Sequence, residues 1–236
     1  MQRLRLRYTK RGRLRFTSHR DFGRAFERAV RRADLPIAYS SGFSPHPRIS
    51  YANASPTGAA SEAEYLEIGL RQGCDPAEVL RRLDAALPDG LDVLEVVTAA
   101  PGSLSDRLEA SSWQIRLEDV APDAVAAAVE VFLACESVTV ERMTKKGLRS
   151  FDCRDAVVSM TASMPAAVTR CATLDLVLRH GTPSVRPDDV LAGLREVAGL
   201  TPPVPALQTR LAQGPLDPRT GTVGDPFASD REALDD

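Results

Sequence analysis

The sequence predicts an α+β protein of two adjoining modules with antiparallel sheets, and three observations carry that expectation. Apolar and polar residues alternate with period two in several short runs, the mark of half-buried strands. Between those runs lie stretches with apolar residues at helical spacing, opened by capping residues and closed near proline. At 236 residues, with 43% hydrophobic and 26% charged side chains, the chain can bury two small cores and has an ordinary globular composition.

At the amino-terminal end, Arg3, Arg5 and Arg7 alternate with Leu4, Leu6 and Tyr8, and after Lys10-Arg11-Gly12 the alternation resumes in Arg13, Leu14, Arg15 and Phe16. This period predicts two strands joined by a turn. The arginines would point outward, with Leu4, Leu6, Leu14 and Phe16 sharing a buried face with Phe22 and Phe26. Ser18 followed by Asp21 reads as a capping box, opening a helix whose core face is Phe22, Phe26, Ala29, Val30 and Ala33 and which Leu35-Pro36 closes. Residues 37–40 are a short strand candidate. The segment 42–47, with Gly42, Pro45 and Pro47, must be loop, because prolines and glycine do not sit in a sheet interior. Strands are predicted over 48–52 and 64–70 around a polar loop at 53–61, then a helix from Asp75-Pro76 to 87 and a closing strand over 91–98.

A similar order follows Pro101-Gly102. Strands are predicted over 113–117, 137–143, 148–151, 156–161 and 173–178, and helices over 122–134 and 187–198. The order β-α-β-β-α-β in each half predicts two ferredoxin-like modules, 1–100 and 101–200, with the boundary near Pro101. Beyond Thr201, six prolines, several glycines and an acidic end without apolar periodicity predict a disordered tail over 201–236.

No run reaches the eighteen or so apolar residues of a spanning helix, and the first thirty residues carry arginines where a signal peptide would be apolar. A cytoplasmic protein with no membrane partner is expected. Cys74, Cys135, Cys153 and Cys171 are scattered without a CxxC pair, which predicts free thiols and neither a zinc site nor a disulfide framework. No cofactor motif is present: Walker loop, GxGxxG, GxSxG and HExxH are all lacking.

The net charge of −2 conceals two opposed parts. Residues 1–50 hold thirteen Lys/Arg against three Asp/Glu, a balance of +10, and the remaining residues hold seventeen against twenty-nine, a balance of −12. An anionic partner for the amino-terminal part follows from that asymmetry. Within it, Arg20, Arg24, Arg28 and Arg31 recur at helical spacing, and their planar forks suit phosphate bidentately, although a solvated face would carry the same charges. Tyr39, Phe43, His46 and Arg48 put aromatics, an imidazole and a guanidinium on a loop stiffened by prolines, as single-stranded RNA recognition requires and as a well-packed surface loop also allows. These eight residues are the candidate anion or RNA site, with His46 and Tyr39 expected near Arg24 and Arg28 on one concave surface that His19, at the start of the helix, would join. His19, Asp152 and Arg154 form a further candidate polar site, for which structural hydrogen bonding competes with acid/base or nucleophilic work.

Residues 10–21, 28–33 and 35–40, with Gly42-Phe43-Ser44-Pro45-His46-Pro47-Arg48-Ile49-Ser50 and Ser61-Glu62-Ala63-Glu64-Tyr65, resemble the radical-SAM-linked protein family. Lys145-Lys146-Gly147 and Asp152-Cys153-Arg154 look like a further family feature, with Asp155 where a proline is expected. The resemblance covers about residues 1–200. It implies a domain of unknown function encoded beside, or fused behind, a radical SAM protein of the cobalamin-binding type, often near genes for ribonuclease E/G and ribosomal proteins. It therefore implies a radical SAM protein as partner and RNA as a possible substrate, and it supplies no catalytic residues. The chain lacks the C-x3-C-x2-C spacing of a radical SAM cluster, so such chemistry would belong to the partner. A non-catalytic accessory protein that binds RNA or another anion is the first reading. The alternatives are an RNA-modifying or hydrolytic enzyme using His19, His46 or Asp152, and an adaptor whose basic face docks an acidic protein.

Overall fold

A computed structural model describes residues 1–144, 147–163 and 171–235. In chain order the first elements are β1 (Gln2–Lys10), α1 (His19–Arg32), β2 (Ile49–Ala52), β3 (Ala60–Leu70), α2 (Pro76–Ala86) and β4 (Val93–Thr98). Then come β5 (Ala110–Glu118), α3 (Pro122–Ala134), β6 (Thr139–Thr144), β7 (Gly147–Asp152), β8 (Val157–Ser163), β9 (Cys171–Arg179), α4 (Pro187–Ala198), β10 (Leu207–Gly214) and α5 (Ala228–Asp235). The chain divides into two units, Met1–Leu108 with Asp225–Asp236, and Glu109–Gly224. None of the described helices is long and apolar enough to cross a membrane.

In the first unit the strands lie in the order β4-β1-β3-β2, and each pair is antiparallel. Period two along β1 and β3 sends Leu4, Leu6, Tyr8, Leu66, Ile68 and Leu70 to one face, where they pack with Phe22, Phe26 and Val30 of α1 and Val79 and Leu83 of α2. Tyr8 stacks on Phe22 at 4.7 Å. Ser18 caps α1 as expected: its hydroxyl accepts from the Asp21 amide at 3.2 Å and donates to the Asp21 carboxylate at 2.7 Å. The opposite face carries a second apolar cluster of Ala63, Tyr65 and Val97 with Leu104, Leu108 and Phe227.

Three expectations are corrected here. Residues 13–16 are not a strand: Gly12–Phe16 is a 3-10 turn, and β1 pairs with β3 and β4 instead. Gly12 turns the chain with φ +55°, Arg11 donates to the Gly90 carbonyl, and the segment runs straight into the cap of α1, leaving Phe16 59% exposed. The strand arginines do not all face solvent either, since Arg5 is fully buried. Both faces of this sheet are covered, so period two told which residues share a face but not which face is wet. Finally, residues beyond Thr201 are not a structureless tail. β10 pairs antiparallel with β5, and α5 returns to the first unit, where Phe227 is buried against Tyr65 at 5.2 Å. The prolines flank these elements and do not interrupt them, so composition averaged over the segment hid both.

In the second unit the sheet order is β10-β5-β9-β8, again antiparallel, and β6–β7 is a separate two-stranded ribbon. α3 packs against α4, β8 and β9. Prolines at the first turn of α3 and α4 mark starts that the sequence announces.

Candidate anion-binding surfaces

Because Phe22, Phe26, Ala29 and Val30 are held inward, helical geometry obliges Arg20, Arg24, Arg28 and Arg31 to project outward from α1, and all four are exposed. Arg24 reaches Asp21 only at 4.0 Å, with both groups largely in solvent. Among the described residues, Arg20, Arg28 and Arg31 have no carboxylate within ion-pair distance. Arg32 is different: its guanidinium donates to the Ala86 carbonyl at the end of α2 at 2.5 Å. There α1 and α2 frame an open cavity of 420 Å³ whose polar lining is Arg32, Asp34, Arg81 and Arg82. Arg82 donates to the Asp34 carbonyl at 2.8 Å, and Arg81 pairs with Glu78. Sequence reasoning missed Arg81 and Arg82. Their adjacency in α2 was visible, but not that α2 would lie beside α1.

The loop residues do not join this face. Its ends are tied by hydrogen bonds between Ser40 and His46, by a bridge from Tyr39 to Pro47, and by the Arg48 amide donating to Ala38 at 2.8 Å. Arg48 lies over Gly69 of β3, where an added Cβ would come within 3.2 Å of the Arg48 Cβ. Gly69 stands opposite Arg3 in the β1–β3 register, on the sheet face turned away from α1. A cavity of 230 Å³ is lined there by Met1, Arg3, His46, Arg48, Ser50 and Glu67, among others. Phe43 is fully exposed at the tip and Tyr39 partly so. The expected single concave surface thus becomes two surfaces, because a short strand following a helix returns along the sheet with side chains on both faces.

His19 stays with α1. Its ring meets Tyr51 edge-on at 5.0 Å, and Tyr51 meets Phe22 at 5.7 Å. The Tyr51 hydroxyl is buried without a hydrogen-bond partner among the described residues. Burial, reinforced by the Glu27 carboxylate, pushes its pKa up to about 12.

Asp152 and Arg154 belong to the second unit and do structural work. The Asp152 carboxylate accepts from the amides of Val138 at 2.9 Å and Arg154 at 2.8 Å, and the Arg154 guanidinium reaches the carbonyls of Val157 and Leu133. Lys145 and Lys146 lie outside the described residues. Beside them Met143 and Leu148 face each other across the ribbon, both exposed. Asp189 bonds Arg142 at 2.5 Å and the Arg186 amide at 2.7 Å, and burial nevertheless raises its pKa.

Among the described residues no group of three or more His, Cys, Asp or Glu could hold a metal ion. What fold and surface define is a mixed α and β protein that carries, among the described residues, a row of exposed arginines on α1. Residues 3–187 match the family described as an uncharacterized protein conserved in bacteria (DUF2344), and the chain belongs to that family. No curated protein matches it.

Proposed function

We propose that this protein is a non-catalytic accessory of a radical SAM enzyme and binds RNA through the exposed arginines of α1. The observation that carries the binding half is the set Arg20, Arg28 and Arg31, aligned on one stripe and, among the described residues, without carboxylate partners. Steps of three or four residues advance about 4.5–6 Å along a helix, comparable with the separation of successive phosphates on one strand. Like charges so placed repel by a few tenths of a kcal/mol per pair, a cost that a bound polyanion removes. The enzyme partner rests on the family resemblance alone, as does a cytoplasmic setting on the character of the sequence. We read both units as ferredoxin-like, on their β-α-β-β-α-β order and outer-to-outer strand orders, with the β6–β7 ribbon as an insertion in the second.

If about four of these arginines meet phosphates of single-stranded RNA, log affinity falls with log salt at a slope of about −2.8, or about fiftyfold between ~50 and ~200 mM. Replacing Arg24 and Arg28 together by glutamine flattens the slope by about 1.4. Thermal stability should hardly change, because exposed charges support little of the fold. Unaltered RNA binding with a large loss of stability would end the RNA reading and leave these arginines as structural.

A further inference from the structure

Resting on that RNA reading, we propose a second, nucleotide-sized subsite on the other face of the first unit: the cavity under the Tyr39–Arg48 loop takes one unpaired nucleotide of the same strand. The cavity measures 230 Å³, on the scale of a single nucleotide and too small for a duplex.

Its parts match the two ends of such a ligand. Arg48 spends only its Nε, on the Tyr39 carbonyl at 3.4 Å, and among the described residues no carboxylate pairs with its outer nitrogens. Arg3 lies beside it and makes one long contact, 3.4 Å, to Glu67, whose charge is already engaged by Arg5 at 3.1 Å. A phosphate lying between Arg3 and Arg48 would therefore meet donors whose present partners are weak or neutral. Ser50 and His46, which line the same cavity, add donors of the size that ribose and base edges accept.

Phe43 supplies the other end. Phe43 is fully exposed at the tip of a loop whose ends are tied by internal hydrogen bonds, so its ring is held out in solvent. Every base offers a π-face, so an exposed ring at the tip of the loop whose two ends line the cavity suits an unpaired base without choosing its sequence. Gly69 makes the floor: without a side chain it lets the Arg48 and Met1 side chains lie flat over β3, with Met1 Sδ 3.6 Å from where a Cβ would stand.

The test is calorimetric titration with the four nucleoside 5′-monophosphates and with inorganic phosphate, beside binding of a fluorescent single-stranded RNA decamer over a salt series. Wild-type protein should bind the monophosphates more tightly than phosphate. Phe43→Ala and Arg48→Gln, each checked for an unchanged melting curve, should weaken the monophosphates about tenfold. Arg24→Gln with Arg28→Gln should leave monophosphate binding intact while flattening the salt slope of the decamer. Absence of heat from every monophosphate, phosphate binding as tightly as they do, or indifference to both loop variants would overturn the subsite. A normal salt slope for the decamer beside any of those results would refute the subsite and spare the α1 reading. Monophosphate binding with a slope that the α1 variant fails to change would do the reverse. Loss of a copurifying protein from Phe43→Ala, without nucleotide binding, would assign the loop to protein docking and overturn the proposal.

Discussion

Tyr51 and Cys153 are single side chains whose surroundings set their chemistry. The Tyr51 hydroxyl lies buried with no partner among the described residues, so it carries a desolvation cost that nothing repays. Tyr51→Phe should leave stability unchanged or raise it by about 1 kcal/mol in a urea melt. A loss above that would reveal a hydrogen bond to water that the hydroxyl needs. Its raised pKa also fixes a pH dependence. Between pH 10 and about 12 the folded state keeps a proton that the unfolded chain has released, so stability falls as pH rises through that window, and Tyr51→Phe should remove that part of the decline. Cys153 has its pKa pushed up to about 12 by burial first and then by the carboxylates of Asp152 and Asp189. It stays a thiol at neutral pH, and Cys171 is equally buried. Thiol-specific reagent on native protein should therefore label Cys74 and Cys135 and spare the other two until denaturant is added. Rapid modification of Cys153 would mean that α4 opens readily.

At the scale of elements, α4 approaches its neighbours through Gly193. A Cβ there would stand 2.9 Å from both Cys153 Sγ and a ring carbon of Phe132, and 3.0 Å from Val138. Helix propensity favours Ala over Gly by about 1 kcal/mol, but overpacking a closed contact costs about 1–3 kcal/mol. Gly193→Ala should therefore be neutral to destabilising by about 2 kcal/mol in chemical denaturation, and an increase in stability would show that α4 can shift outward freely. This contact also marks where sequence reading stops. The starts of α1, α2, α3 and α4 were legible because Ser18, Asp75 and the prolines Pro76, Pro122 and Pro187 act locally. Pairing partners were not, because hydrogen bonds between β1 and β3 join residues more than fifty positions apart and leave no local trace. The same limit explains the site: spacing alone placed the α1 arginines outward, whereas the side of the sheet taken by Arg48 depends on its register with Gly69. Arg5 failed for a third reason, since its burial is decided by Asp230 at the far end of the chain.

Within the whole molecule, the first unit depends on that returning end. Arg5 bonds the Asp230 carboxylate, donates to the Gly102 carbonyl at 2.6 Å and meets Glu67, while Arg107 holds the other Asp230 oxygen at 2.9 Å. The Ala100 amide donates to Asp230 as well, at 2.8 Å. A buried cation so arranged adds little net stability over an apolar packing, yet removing its partner is expensive, about 3–5 kcal/mol, because the remaining charge cannot reach water. Phe227, also fully buried, adds an aromatic anchor whose loss costs about 3–5 kcal/mol. Truncation after Gly224 removes both at once and leaves every element of the second unit in place. Since a whole domain is stable by only about 5–15 kcal/mol, the first unit of the truncated chain should melt far below that of the full chain or be unfolded at room temperature. The ring of Trp113, in the second unit, should meanwhile keep its native fluorescence, so heating the truncated chain should separate two transitions. Asp230→Asn is the milder companion: it keeps one oxygen acceptor and the shape but not the charge, and should fall between full chain and truncation. A truncated protein whose first unit melts unchanged would show that α5 only rests on its surface, and the buried arginine would then have to be satisfied by the Gly102 carbonyl and Glu67 alone.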